Sequence, residues 1–241
     1  LLSGTVDIAV HSMKDVPMHL PEGFALVAPG EREDSRDAFV SNTYTSLEAL
    51  PDGSIVGTSS LRRQSQIQAR FPHLKIESLR GNVQTRLRKL DENQYAAIIL
   101  AAAGLIRLGL GERIKGFIDP AQSIPAVGQG ALGIEINASR TDLIEILAPL
   151  NHTDTQLCVE AERGFSRAWA GSCTVPLGAY ATKQGNTITM QGFVASVDGQ
   201  QMLKESVTGD VLLAETLGQQ LAQQLVARGA DKIMAALDGV K

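Results

Sequence analysis

Between Ser54 and Ala102 apolar runs alternate with helical patterns, and this alternation restricts the fold more than any other feature of the chain. Ser54 to Gly57 is a short apolar run. Thr58, Ser59 and Ser60 follow, each able to cap a helix, and Leu61 to Phe71 reads as that helix, with Pro72 beyond its end. Leu74 to Leu79 is the next strand candidate. Asn82 can cap a second helix with an apolar stripe of Val83, Leu87 and Leu90, and Tyr95 to Ala102 suits a strand buried on both faces. The order β-α-β-α-β predicts a parallel sheet flanked by helices.

The same stretch concentrates charge. Residues 58 to 107 hold nine Lys or Arg against three acidic residues, a net +6 in a chain whose formal charge is −4. So much self-repulsion calls for an anionic ligand or an interface. Arg62 and Arg63 fall in the first turn of a helix just after a strand. Arg80 falls at the carboxyl end of the next strand, and Arg86 one turn into the following helix. Ligands of open α/β sheets bind at the carboxyl ends of strands, where helix N-termini add N–H donors. The four arginines therefore predict a carboxylate or phosphate cradle, whereas Arg70, Arg88 and Lys89 read as solvated helix-face charges.

The totals narrow the class. A length of 241 residues suits two or three small domains, and 44% hydrophobic with 20% charged residues is ordinary for a globular protein. No apolar run is long enough to span a bilayer, so no membrane partner is expected. Cys158 and Cys173 make no disulfide framework, which points to a reducing, cytoplasmic compartment. The four histidines lack metal-ligand spacing, and no metal site is expected. Net negative charge and a basic window without interleaved aromatics argue against nucleic acid. Ala126 to Gly133 lacks the helix and acidic residue of a nucleotide fingerprint and reads as a close-packed hinge or crossover.

Three units are expected. Residues 1–30 with 131–148 form a first domain, entered and re-entered through connections near 31–35 and 123–130. Residues 36–124 form the arginine-rich α/β domain, and 153–241 an α+β domain. Leu1 is not methionine and Thr5 to Val10 already enters a strand, so the chain reads as beginning inside its first domain, compatible with an upstream targeting segment. In the last unit, Asp154 to Trp169 is a helix with Cys158, Ala161, Phe165 and Trp169 on one face. Three alternating strands follow (177–182, 187–196, 202–209), and an amphipathic helix, Val211 to Arg228, closes the domain.

Among residues with chemistry, Cys158 reads as a buried core thiol and Cys173 as a thiol on a Gly/Ser loop. Asp15 sits in a Lys-Asp-Val-Pro corner. Alone it would be a turn residue; beside an arginine-lined cleft it is the carboxylate able to stabilise a cationic intermediate, with Ser12 and Lys14 as natural neighbours.

Five motifs carry a resemblance: His11-Ser12-Met13-Lys14-Asp15-Val16-Pro17, Gly57 to Gln64 (GTSSLRRQ), Leu79 to Leu87 (LRGNVQTRL), Pro125 to Gly130 (PAVGQG) and Gly171 to Pro176 (GSCTVP). In this order they resemble the porphobilinogen deaminase (hydroxymethylbilane synthase) family. The resemblance implies two domains like those of periplasmic binding proteins, the first incomplete here, and a C-terminal α+β domain with a three-stranded antiparallel sheet. It implies a dipyrromethane cofactor on Cys173 through a thioether and a catalytic carboxylate at Asp15. It also implies cofactor and substrate contacts at Ser12, Lys14, Thr58, Ser60, Arg62, Arg63, Arg80, Gly81, Asn82, Arg86, Arg107 and Gln129. Its partners would be porphobilinogen and the growing polypyrrole, on a monomer. Family members carry roughly two βα units before the position of Leu1, so a chain starting there is expected to be inactive. The competing reading is a non-catalytic, anion- or solute-binding two-domain protein, which would have no need of Cys173 or of Asp15 opposite the arginines.

Overall fold

The computed structural model describes residues 1–27, 29–169 and 175–238; Cys173 lies outside the described residues. In chain order the elements are β1 (Ile8–Ser12), β2 (Phe24–Val27), β3 (Asp37–Val40), β4 (Ile55–Gly57), α1 (Leu61–Arg70), β5 (Lys75–Glu77), α2 (Val83–Asp91), β6 (Ala97–Ala101), α3 (Ala102–Arg107), β7 (Gly116–Ile118), β8 (Leu132–Asn137), α4 (Thr141–Leu147), α5 (Thr153–Arg167), β9 (Leu177–Gln184), β10 (Thr187–Ala195), β11 (Met202–Asp210), α6 (Ala214–Ala227) and α7 (Ala230–Asp238). Among the described residues the strands form three sheets, ordered β1-β8-β2, β5-β4-β6-β3-β7 and β11-β10-β9.

In the first sheet β8 lies between β1 and β2 and runs antiparallel to both, so the chain leaves this sheet after β2 and returns to its centre. Ile134 and Ile136 of β8 pack on Leu143 and Leu147 of α4. β1 is an edge strand, and its Ile8 and Val10 are 40% and 58% exposed.

In the second sheet β4 pairs parallel with both β5 and β6, as the alternation predicts. The sheet is nevertheless mixed, which corrects the expectation of a parallel one: β3 inserts between β6 and β7, antiparallel to both. Both added strands gave weak signals. β3 has four residues and opens on a charged one, and β7 has three and opens on glycine. Ala38 and Val40 pack on one face with Leu79 and Leu87, while Phe39 packs on the other with Val56 and Ile67, so the short strand fills both cores. The caps form as anticipated. The Ser60 hydroxyl accepts from the Arg63 N–H, and Asn82 Oδ1 accepts from the Thr85 N–H at 2.8 Å.

The third sheet is an antiparallel meander covered by α5 and α6, with Phe165, Ile188, Met190 and Leu221 in its core. α5 and α6 touch backbone to backbone, since a Cβ on Gly218 would fall 2.0 Å from the Ala161 carbonyl oxygen. The expected closing helix Val211 to Arg228 is shorter, and the chain turns at Gly229 (φ +95°) into the unanticipated α7. No helix among the described residues is long and apolar enough to cross a membrane.

Candidate active site

A cavity of about 560 Å³ opens between the three sheets. One wall is the turn after β1, which contributes Lys14 and Asp15. The opposite wall is the β4–α1 junction with Thr58, Ser60, Arg62 and Arg63, joined by Arg80 from the β5–α2 connection and Arg86 from the first turn of α2. Gln129 lines the floor, Ser166 comes from α5, and Val175 and Leu177 come from the chain entering the third sheet. The structure thus brings nine of the candidate residues together from segments far apart in the chain. Ser12, Gly81, Asn82 and Arg107 do not line the cavity.

These four have other surroundings. Ser12 ends β1 and is exposed. Gly81 (φ +119°) makes the turn into α2, where a Cβ would lie 2.8 Å from a Thr85 methyl, and its carbonyl accepts from Arg86 Nε at 2.8 Å. Asn82 caps the helix. Arg107 Nη2 donates to the Gly130 carbonyl at 2.6 Å.

Arg62 and Arg63 are buried, at 5% and 6% exposure, over a carboxylate that sequence reasoning missed. Asp37, fully buried at the start of β3, accepts from Arg62 Nη1 (2.8 Å) and Nη2 (2.9 Å), Arg63 Nε (2.9 Å), Ser123 Oγ (3.1 Å) and Gln129 Nε2 (3.0 Å). Arg62 Nη1 also donates to the Ile124 carbonyl at 2.6 Å, and Arg63 Nη1 and Nη2 donate to the Ile99 carbonyl and Gln129 Oε1. Burial alone would raise the Asp37 carboxyl, but the charges of Arg62 and then Arg63 outweigh it and hold it far below the usual carboxylate range. Two guanidinium groups on one carboxylate leave the site with one net positive charge and several N–H donors. Arg62 Nε is buried with no hydrogen-bond partner among the described residues, a donor suited to an anionic oxygen. The only available signal for Asp37 was an acidic residue heading the apolar run Ala38-Phe39-Val40.

The remaining charges follow from burial. The Lys14 ammonium is pushed down to about 8, first by burial and then by the Arg63 charge, with Asp15 opposing. Burial also lowers Arg63, and Arg62 and Arg86 add to this. Cys158 is 7% exposed and its thiol is pushed up to about 11 by burial, so it stays protonated as a core thiol. Residues 170–174, including Cys173, connect α5 to the chain before β9, and Ser166 on one side and Val175 on the other both line the cavity.

The Pro/Gly segment packs as a crossover. A Cβ on Gly130 (φ +91°) would fall 2.3 Å from the Glu33 carbonyl oxygen, and one on Gly128 (φ +72°) 2.7 Å from Met13 Cγ. The two chain crossings therefore press against each other directly below the cavity.

Two family models match: "Porphobilinogen deaminase, dipyromethane cofactor binding domain" over residues 1–145, and "Porphobilinogen deaminase, C-terminal domain" over residues 156–227. Among curated relatives, a porphobilinogen deaminase of Methylobacillus flagellatus is 71% identical over 98% of this chain and 76% of its own length. Proteins of the same name from Nitrosomonas europaea (98% of this chain, 77% of that protein) and Neisseria meningitidis (98% and 76%) are 60% and 55% identical. A solved nutrient-binding protein from Burkholderia cenocepacia bound to methionine overlaps 61% of this chain and 71% of its own, at 15% identity and a TM-score of 0.42.

Proposed function

We infer the function from membership: this chain belongs to the porphobilinogen deaminase family. Its reaction is the stepwise condensation of four porphobilinogen molecules, with loss of ammonia, on a covalently bound dipyrromethane, followed by hydrolytic release of hydroxymethylbilane. The observation that carries this reading to the cleft is a single cavity with Lys14 and Asp15 on one wall and Arg62, Arg63, Arg80 and Arg86 on the other. Family membership disfavours the non-catalytic solute-binding alternative. In the same reading the three units are 1–30 with 131–148, 36–124 and 153–241, and the enzyme works as a cytoplasmic monomer without nucleic acid, a state that sedimentation checks.

Porphobilinogen carries an acetate and a propionate. Each charge-assisted hydrogen bond to such a group contributes about 1.5–3 kcal/mol, so several cations are needed to hold a lengthening polyanion. The donors left on Arg62 and Arg63 above Asp37, with Arg80, Arg86 and Lys14, supply them, and they suit the carboxylates of a dipyrromethane equally well. Dipyrromethane, when bound, supplies a pyrrole α-carbon as nucleophile on a permanent anchor. Cys173 would hold it. Loss of ammonia from porphobilinogen leaves a cation, and Asp15 is the group in the cavity positioned to stabilise that charge as it develops. The buried Asp37 meanwhile fixes the orientation of the arginines, so the Asp15 wall meets a preorganised surface.

Intact-mass measurement tests the anchor; for it and for every turnover measurement the chain carries the upstream βα units expected of its family. The native protein and Cys158→Ala should both carry an added dipyrromethane and give a colour with an aldehyde reagent for pyrroles, and Cys173→Ala should do neither. A primer retained in Cys173→Ala and lost in Cys158→Ala would reverse the assignment.

Lys14 makes binding depend on pH. Its ammonium is charged below about pH 8 and neutral above it, so one carboxylate contact weakens as pH rises. KM for porphobilinogen should climb between pH 7 and 9, and Lys14→Met should start from a higher KM and lose that climb. A parallel climb in the variant would assign the pH dependence to another group.

A further inference from the structure

Glu162 is a fully buried carboxylate on α5, outside the cavity lining. Three other chain segments converge on it. Arg32, in the first crossing, donates to it through Nη1 at 2.7 Å and Nη2 at 3.1 Å. The Gly128 N–H, in the second crossing, donates at 2.7 Å. The Ala181 N–H, on β9, donates at 2.9 Å. Arg32 is tied further to the second crossing by its Nε, which donates to the Gln129 carbonyl at 2.9 Å. These four bonds match the acceptor capacity of one carboxylate.

The placement gives those bonds a consequence. α5 and β9 are the elements on either side of residues 170–174, where Cys173 lies. The crossings are the chain segments that run between the first sheet, beside Asp15, and the second sheet, behind the arginines. One carboxylate therefore links both flanks of the cysteine loop to both crossings. A buried ion pair is a weak source of stability, since an apolar pair of like volume does about as well. Bidentate geometry and two backbone donors instead fix direction.

We propose that Glu162 is a positioning residue for chain growth: with Arg32 it fixes α5 and β9, the elements that bracket Cys173 in the chain, relative to Asp15 and the cleft arginines. This rests on the reading that Cys173 anchors the primer. Misplacing an anchored nucleophile by about 1 Å costs up to 10²-fold in rate, without removing any group that binds the incoming substrate. The proposal therefore predicts a loss in kcat, not in KM.

Two full-chain variants test it. Arg32→Met with Glu162→Met replaces the pair by apolar side chains, and Arg32→Lys keeps the charge but loses the fork that binds both carboxylate oxygens. Intact mass first establishes whether the native protein and each variant carry the primer on Cys173. A native protein without it would fail the anchoring reading, not the positioning role. In primer-bearing protein, either variant should show kcat at least tenfold down, KM within twofold of native and accumulated partly extended chains. Arg32→Lys retains the charge balance and stands as the deciding variant if the apolar pair does not fold. Native kcat in loaded, folded Arg32→Lys, or a KM that rises while kcat holds, would overturn the proposal.

Discussion

Asp15→Asn should lower turnover by about 10²–10³-fold, the scale of removing one preorganised electrostatic stabiliser of a transition state. The substitution keeps size and shape and removes only charge. Asp15 lies on the cavity wall facing the arginines, exposed at the end of a short turn whose Met13 and Val16 are buried. The carboxylate can therefore change without moving its frame. In the proposed site binding rests on Lys14 and the arginines across the cavity, so enzyme–substrate adducts should still form and persist while release of product nearly stops. Rapid quenching followed by intact-mass analysis would separate the two steps. Native turnover in Asp15→Asn would remove the residue from the chemistry. Arg80→Leu and Arg86→Leu should instead impair primer assembly or elongation, the outcome expected of the carboxylate-holding role proposed for them.

The second large effect is on stability. Asp37→Asn leaves Arg62 and Arg63 buried without their counter-charge, and breaking a buried ion pair from one side costs about 3–5 kcal/mol. For a chain of this size that is a fall in Tm of roughly 10 °C. The sign of the pH dependence follows from the depressed Asp37 carboxyl. Its contribution is fully present above the unfolded carboxylate value of about 3.9 and is lost as pH falls towards the lower folded value. Thermal melts between pH 7 and 3 should therefore show the native-minus-variant gap narrowing only at the acid end. A variant with native Tm would show that the arginines find other partners. The same variant should load primer poorly, because its two cleft arginines are no longer held in place.

What was legible in the sequence was local. Ser60 and Asn82 announced helix starts because a capping oxygen lies within three residues of the N–H it accepts from. The parallel β4, β5 and β6 were legible, although β4 and β5 have only three residues each, because two capped amphipathic helices separate the apolar runs of 54–102, and the closeness of Arg62, Arg63, Arg80 and Arg86 followed from that topology. The meander at the end of the chain was readable from alternation and from turns at Gly185 and Gly199, both of which take positive φ. β3 and β7 are as short but lie outside that alternation, with no helical pattern to set them off, and are held by their neighbours in the sheet; α7 follows a glycine that looked like an ending.

Only the tertiary structure decided what the arginines do. Arg62 and Arg63 read as part of a carboxylate or phosphate cradle at a helix start, yet both bind Asp37, some 25 residues earlier and on an antiparallel strand that the pattern did not reveal. Arg32 and Glu162 are 130 residues apart, and in the sequence each looks like a surface charge, one in a polar connection and one on a helix. Burial of an ion pair has no period and no local signature. It arises where distant segments of the chain close on one another, and in this protein that closure occurs beneath the cleft, where Asp37 orients the arginines and Glu162 joins the two crossings to α5 and β9.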